Sequence, residues 1–542
     1  MDGYVATDRV LTATASGPPN SRRVGDDQNL VSRVWIAAIG GVFSLPPLFV
    51  LFRAALLGGE SLDEVTGALG PLWRTIQLGA LVAITTAVLG SVMAWLVVRT
   101  DLPGRRIWHT LLSLPIVLPS FIGAAAYAAA LAPNGVLYGP LDLVGLAPQG
   151  RLAGMGAAWF VLTVFTFPYV FLPVAARLSV LPASLEESAR MLGRNGPQAF
   201  REAVLPQLRP AIRSGALIVF LYTISDYGAV QLLRFDTLTR KIFSARLADR
   251  AAFYVLATML VILTFVAVAA QRRRVPGTME TPENPGVAQP PIKLSGWRRI
   301  AALAVVAATL TAALLAPVAS LVVWAWRGVA DGRVDYAELI GPLVNTATIG
   351  LITAAVVVTV LVPLALSTVR RSDGLAGAAS IAVTAGYAAP GVVIALALSF
   401  WVRSVPGFFW LYLSFPLLLA GYAIQFGALA LGSAEDAVRA VPRSVRESAR
   451  LLEPDRNRRI ALIHFPLMRP GLVSGGGLVL LSVVKELPIT LLLAPLGFNT
   501  MATRIWAKFE EGYAADAGVF ALVLLLVSGV LTWLLVLRAM DS

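Results

Sequence analysis

The sequence predicts an all-α polytopic membrane protein of about 12 transmembrane helices, in two parallel six-helix repeats that each carry a short cytoplasmic helix. Three observations carry that prediction. The 542 residues are 57% hydrophobic and only 14% charged, with a mean hydropathy of +0.75, too apolar for a soluble chain of this length. Apolar runs that can cross a hydrocarbon layer of about 30 Å, which takes roughly 20 helical residues, recur throughout. One polar stretch is also written twice. Pro182-Ala-Ser-Leu-Glu-Glu-Ser-Ala-Arg-Met-Leu-Gly193 lies over Pro442-Arg-Ser-Val-Arg-Glu-Ser-Ala-Arg-Leu-Leu-Glu453 at a shift of 260 positions, and Pro206 lies over Pro466.

Taken in order, residues 1–33 are polar, lack the apolar core of a cleaved signal peptide, and read as a disordered cytoplasmic tail. Spans start near 34, 75, 109, 154, 213 and 251, then near 299, 343, 378, 408, 471 and 516. A Pro- and Arg-rich cytoplasmic linker at 272–298 separates a first repeat at 34–271 (core 71–271) from a second at 299–538 (core 342–538). The repeat extends beyond the polar stretch. Arg74-Thr75 to Arg99 matches Asn345-Thr346 to Arg370, and Pro119 matches Pro390, at a shift of 271 because the first half has a longer outer loop near 133–153. Equal, even span numbers make the halves parallel about an axis along the membrane normal, with a shared central pathway. Pro115, Pro119 and Pro390 are expected to kink their spans. Gly475-Gly-Gly477 is expected to allow close helix packing or, as the alternative, to serve as a hinge, and Trp159, Trp401 and Trp410 read as interface or core residues.

With both termini inside, about 30 Lys and Arg fall on the cytoplasmic side and about 13 outside. This bias accounts for the net charge of +13 without nucleic acid as a partner. Both copies of the polar stretch then face the cytoplasm. The exception is Arg234–Arg250, with five basic residues on the outer side offset only in part by Asp236 and Asp249. The absence of cysteine excludes disulfides and thiol chemistry, and His109 and His464 stand alone at membrane edges, so no built-in metal site is expected. No nucleophile–base constellation marks an enzyme.

Each polar copy reads as a short exposed helix. Ser184 and Glu187, like Ser444 and Glu447, hold the spacing of a capping box. Gly193 can end the first helix in a left-handed turn, and Pro197 can open a second that stops before Pro206. Glu453 replaces that glycine in the second copy, where Pro454 must supply the break.

Glu-x-Ala, a glycine six places after the glutamate and a closing Leu-Pro resemble the "EAA" signature of membrane subunits of ATP-binding-cassette importers, a cytoplasmic coupling helix seated on an ATPase subunit. The resemblance implies ATPase-coupling roles for Ser184, Glu187, Ser188, Ala189 and Gly193, and for Ser444, Glu447, Ser448 and Ala449. Glu453 departs from the family's glycine. No G-x-x-x-x-G-K-[ST] loop occurs, so ATP and Mg are expected on a partner, a homodimer of ATPase subunits. Each coupling helix is expected to rest its Leu185/Leu192 or Val445/Leu452 side in a groove on that dimer. An extracytoplasmic binding protein is the other implied partner, and a bacterial inner membrane the implied location.

The spans after the coupling loops carry ionisable residues, Asp226 and the pair Lys485-Glu486, with the carboxylates again 260 apart. A carboxylate at this depth either faces a wet pathway or forms a helix–helix clasp, here with Lys485 neutralising Glu486 or Asp226. With Tyr222 and Tyr227 these are the pathway candidates. Lys485-Glu-Leu-Pro-Ile-Thr-Leu-Leu-Leu493 with Phe498-Asn-Thr-Met-Ala-Thr-Arg-Ile-Trp506, and Ser225-Asp-Tyr-Gly228 with Phe235-Asp-Thr-Leu-Thr-Arg-Lys-Ile-Phe243, resemble the ferric-iron branch of these permeases. Thiamine permeases, or carriers of another small solute, are the nearest competitors. From another class, an ion-coupled secondary transporter also uses repeats and buried carboxylates.

Overall fold

The computed structural model describes residues 20–57, 62–133, 135–143, 145, 150–182, 184–272, 291–332, 334–371, 374–453, 455–532 and 534. Among them ten helices are long and apolar enough to cross a membrane, and two further helix pairs qualify together but are sharply bent. Twelve spans result only if each bent pair counts as one. The pairs are Arg105–Val117 with Ser120–Ala130, bent by 98°, and Gly374–Ala388 with Gly391–Ser404, bent by 111°. Pro119 and Pro390 cause both bends. Each sits in extended backbone just ahead of the second helix, where its missing N–H costs nothing and its fixed φ restarts the chain in a new direction. Pro115 instead lies within a 3-10 turn, Leu114–Val117.

Pro206 does not end a helix as expected. The run that opens at Gly196–Ala199 passes through a π turn at Phe200–Val204 and continues as Leu205–Ser225. The second half repeats this as Arg456–Arg459, Ile460–His464 and Phe465–Val484. One wide turn ahead of each Leu-Pro or Phe-Pro step makes room for the proline ring and leaves its unmatched carbonyl outside the ladder, so the helix survives.

The lead helices cross over. Helix Asn20–Leu57 starts inside the expected tail, of which residues 1–19 lie outside the described residues. Its Ile36, Ile39 and Phe43 are buried in the hydrophobic cluster of the second half. Conversely Val306, Ala313 and Leu321 from the second half's lead segment, Trp297–Ala330, are buried in the cluster of the first half, and Tyr127 donates its hydroxyl proton to the Ala312 carbonyl. Linker residues 273–290 lie outside the described residues. The helix Phe465–Val484 packs closely on Phe415–Ala440 at Gly475, where a Cβ would sit 2.7 Å from Ser433 Cβ, which bears out close packing at that glycine. Trp159 is half-buried and donates to Thr85 Oγ1 at 3.2 Å, whereas Trp410 is exposed.

Helix Leu62–Arg99 sets the two ends of the molecule. Near its start, buried Thr75 accepts the Leu238 N–H at 2.9 Å; near the start of Ala337–Arg371, Thr346 accepts the Met501 N–H at 2.8 Å, the same joint in the other half. At its far end Arg99 meets the loop helix Ser184–Met191. The basic stretch around Arg234–Arg250 therefore lies across the bilayer from that loop helix, the 24 residues from Thr75 to Arg99 spanning about 36 Å. Part of its charge is neutralised locally. Asp236 pairs with Arg240 and lies 3.6 Å from Arg74.

Candidate functional site

A cavity of about 250 Å³ lies between the halves where both bends and both carboxylates converge. Helix Leu205–Ser225 ends at Asp226 and helix Phe465–Val484 ends at Lys485-Glu486, and each carboxylate caps the short helix that follows. Asp226 Oδ1 accepts the N–H groups of Ala229 at 2.9 Å and Val230 at 3.3 Å, while Oδ2 accepts the hydroxyl of Ser120. Glu486 Oε1 accepts the N–H of Ile489 at 3.0 Å. Capping explains why chain breaks are tolerated at this depth: the carboxylates satisfy amide groups that a broken helix leaves free.

The second half departs from the first at three matched positions. Ser120 is replaced by Gly391, Ser225 by Lys485 and Phe165 by Gln425. Gly391 offers no hydroxyl to Glu486. A Cβ there would sit 3.3 Å from Glu486 Oε1 and 3.5 Å from Gln425 Oε1, so both oxygens border the space the glycine leaves. Gln425 Oε1 is buried without a hydrogen-bond partner among the described residues. Neither expected clasp forms: Lys485 Nζ donates across the halves to the Ile116 carbonyl at 3.0 Å, and no ion pair among the described residues joins it to Glu486 or Asp226. The carbonyl before the Pro119 bend accepts the ammonium where a carboxylate was expected.

Tyr222 lines the cavity beside Tyr169, their rings 5.9 Å apart. Tyr227 lines the same cavity and also joins the halves. Only 1% exposed, it lies against Phe243 at 4.3 Å and Trp506 at 5.7 Å, and Trp506 lies 6.1 Å from Phe121. Trp506 belongs to the second half and the other three rings to the first, so this cluster seals the halves together. Gly228 packs at the same level, where a Cβ would meet Phe121 Cβ at 2.6 Å and Leu487 Cδ2 at 3.4 Å. The exposed lining residues are Ile218 and Tyr387. Ile218 lies eight residues, about 12 Å, before Asp226 along its helix. The cavity thus opens toward the loop helices and is shut on the opposite side.

The loop helices are Ser184–Met191 and Arg443–Leu452, each one long helix away from its carboxylate. Ser184, Glu187, Ser188, Ser444, Glu447 and Ser448 are exposed, Ala189 is half-buried and Ala449 buried. The expected capping boxes are not the way these helices start. Arg443–Leu452 follows Pro442 with no side-chain cap, which puts Ser444 inside the first turn, and Ser184 is likewise already helical. The boxes that form are Asn195 with Gln198 and Thr500 with Thr503. Gly193 does end the first helix, at φ +82°, with Arg194 N–H reaching the Ala189 carbonyl at 3.1 Å. At Glu453 the chain is extended, and Pro454 lies outside the described residues. The expected apolar sides also divide. Leu185 and Val445 pack inward against their own halves, while Leu192 (82%) and Leu452 (79%) are exposed with Met191 and Leu451. A helix this short on a protein surface presents one stripe to its own core and another to solvent.

Sequence reasoning missed Ser120, Gln425, Phe121 and Trp506. Ser120 carried a signal, since it follows the matched Pro119; Gln425 and Phe121 are ordinary residues of apolar spans until the bends bring them together, and Trp506, which closes the segment Phe498–Trp506, was read only for its family resemblance. No group of three His, Cys, Asp or Glu among the described residues could hold a metal ion.

Comparison with known proteins agrees with this layout. Residues 86–278 and 348–542 each match the family described as binding-protein-dependent transport system inner membrane component. An Fe(3+)-transport system permease protein of Haemophilus influenzae, FbpB 2, is 25% identical over 92% of this chain and 96% of its own length. Sulfate transport system permease proteins match over shorter stretches: CysW of Escherichia coli is 30% identical over 30% of this chain and 55% of its own length. CysT of Salmonella typhimurium is 34% identical over 29% and 56%. With two matched domains covering most of its length, ten unbroken apolar helices and a cavity shared by its halves, the chain belongs to the family of binding-protein-dependent transport system inner membrane components, as a fused, multi-pass transport subunit and not an enzyme.

Proposed function

We propose that the chain supplies both membrane halves of an ATP-binding-cassette importer and forms its translocation pathway: a homodimer of ATPase subunits grips its two loop helices, and an external binding protein delivers ferric iron to the opposite side. One observation carries the reading. The two loop helices present matched exposed polar faces, Glu187-Ser188 and Glu447-Ser448, each about 30 Å of helix from a carboxylate of the same cavity, on the side where that cavity opens. Both termini and both loops are then cytoplasmic, and ATP and Mg bind the partner subunits. Closure of the ATPase dimer draws the loop helices together, opens the seal around Trp506 and closes the opening near Ile218 and Tyr387. Leu192 and Leu452, exposed with their neighbours, are the apolar contacts left for the ATPase grooves.

Iron is favoured as cargo because a relative matched over nearly the whole chain is named for it, and because the cavity offers carboxylate, amide and tyrosine oxygens, the donors a hard cation takes. Asp226 has both oxygens committed to hydrogen bonds, whereas Glu486 has one oxygen on the Ile489 N–H and its other left to meet cargo, with Tyr222 lining the same cavity. The test is uptake by the chain reconstituted with its ATPase and binding protein, offered labelled ferric iron, sulfate and thiamine in parallel. Iron uptake that falls at least tenfold in the double variant Glu187→Ala/Glu447→Ala, with the membrane helices still folded, is expected. Normal uptake by that variant refutes the coupling role; uptake of sulfate or thiamine in place of iron refutes the cargo; uptake driven by a proton gradient without ATP refutes the importer class.

A further inference from the structure

The residue before the first signature glutamate does something its neighbour does not. Glu186 points into the protein, with its side chain 9% exposed, and pairs with Arg99, whose side chain is 7% exposed; its other oxygen accepts from Arg190 at 2.6 Å. Arg99 is the last residue of helix Leu62–Arg99, the same helix that holds the opposite end of the molecule through Thr75. The backbone here is also shared with the returning linker. Ile292 donates its N–H to the Arg99 carbonyl at 2.8 Å, Asp101 N–H reaches the Ile292 carbonyl at 3.1 Å, and Leu294 N–H reaches Asp101 Oδ1 at 2.7 Å.

The sequence does not repeat this pair in the second half. The positions matched to Arg99 and Glu186 are Arg370 and Arg446, two cations that cannot pair. Its loop helix rests on Val445 and buried Ala449 above a hollow of about 250 Å³ that Ile463 also lines. An ion pair removed from water holds its partners firmly, because losing one leaves the other charged and unsolvated. Apolar contacts over a hollow permit tilting.

We propose that Glu186 is a positioning residue that fastens the first loop helix to helix Leu62–Arg99 and to the docked linker end, so that motion enters the membrane rigidly through the first half and compliantly through the second. The proposal rests on the loop helices being the ATPase contacts. The experiment uses the full chain assembled with its ATPase and binding protein, and reads cargo molecules moved per ATP hydrolysed. Glu186→Gln and Arg99→Gln are expected to keep the assembly and hydrolysis within about twofold while cargo per ATP falls about tenfold, and the exchanged pair Arg99→Glu/Glu186→Arg, made with Arg190→Gln so that the moved arginine meets no second cation, is expected to recover at least half of the ratio. Arg370→Ala is expected to leave the ratio unchanged. If the single variants do not fold, the exchanged pair alone decides: a ratio below a tenth of the parent's overturns the tie. An unchanged ratio in Glu186→Gln overturns the proposal, and a tenfold loss in Arg370→Ala overturns the asymmetry. Failure of the parent chain to bind any ATPase would instead remove the coupling reading itself.

Discussion

Truncating Trp506 tests whether the aromatic cluster is the seal. Trp506 is 3% exposed, comes from the second half, and touches Tyr227 and Phe121 of the first. Replacing a buried Trp by Ala costs about 3–5 kcal/mol in lost burial and cavity formation. Its ring contacts Tyr227 and Phe121 across the halves, so roughly 2 kcal/mol of that belongs to contacts that exist only while the halves are closed on this side, given about 0.5–1.5 kcal/mol per aromatic pair. Since 1.36 kcal/mol is a factor of ten, a shift of that size raises the population open on this side about thirtyfold. The chain contains no cysteine, so one introduced by Ser225→Cys in the cavity wall is a clean reporter. In right-side-out vesicles, an impermeant maleimide added outside is expected to label Ser225→Cys slowly, and at least tenfold faster when Trp506→Ala is added. Trp506→Phe, which keeps a ring, should restore slow labelling. Labelling that stays slow in a folded Trp506→Ala protein would show that the cluster does not hold this side shut.

Two other consequences follow from the joints and the cavity. Thr75→Val and Thr346→Val keep side-chain volume but leave the Leu238 and Met501 N–H groups buried without a partner, at about 1–3 kcal/mol each. Because the two joints lie in different halves, their losses should add, and thermal unfolding of the purified protein would reveal non-additivity if the joints were not independent. Gly391→Ser copies the first half's arrangement into the second and offers Glu486 the hydroxyl that Asp226 already has. With a charge-assisted bond of about 1.5–3 kcal/mol competing for that carboxylate, iron uptake should fall about tenfold or more at unchanged expression. Uptake at the parent rate would exclude Glu486 as a cargo contact.

Much of this was legible because polar residues are scarce in an apolar chain. The signature copies, the carboxylates 260 apart and the matched prolines stand out for that reason, and each fell where a loop helix, a cap or a bend occurs. What stayed hidden depends on which apolar surface meets which. Ile36 and Phe43 are as apolar as any lipid-facing residue, so nothing in hydropathy says that their helix packs on the far half. The same ambiguity misassigned Leu185 and Leu192 to one side of a helix. The capping boxes failed for a local reason: Arg443 follows Pro442 as the first helical residue and Ser184 is itself already helical, which moves the serines from cap to first turn.

The differences between the halves are possible only because they are one polypeptide. In a symmetric pair of identical subunits every residue appears twice, and a lysine or a buried ion pair placed in one must be placed in both. Here Lys485 stands where the first repeat has Ser225, Gly391 where it has Ser120 and Arg446 where it has Glu186. In the first set Ser120 bonds Asp226 and Glu186 pairs with Arg99; the second leaves Gln425 Oε1 without a partner among the described residues and sends its lysine across to Ile116. A cavity built this way has one finished wall and one wall with oxygens to spare. On the proposed importer reading, cargo would meet it off the central axis, against the half whose loop helix is proposed to tilt. Contact with cargo and compliance toward the ATPase would then fall on the same half of the chain, which would give an occupied cavity a direct route to alter how that half answers nucleotide binding.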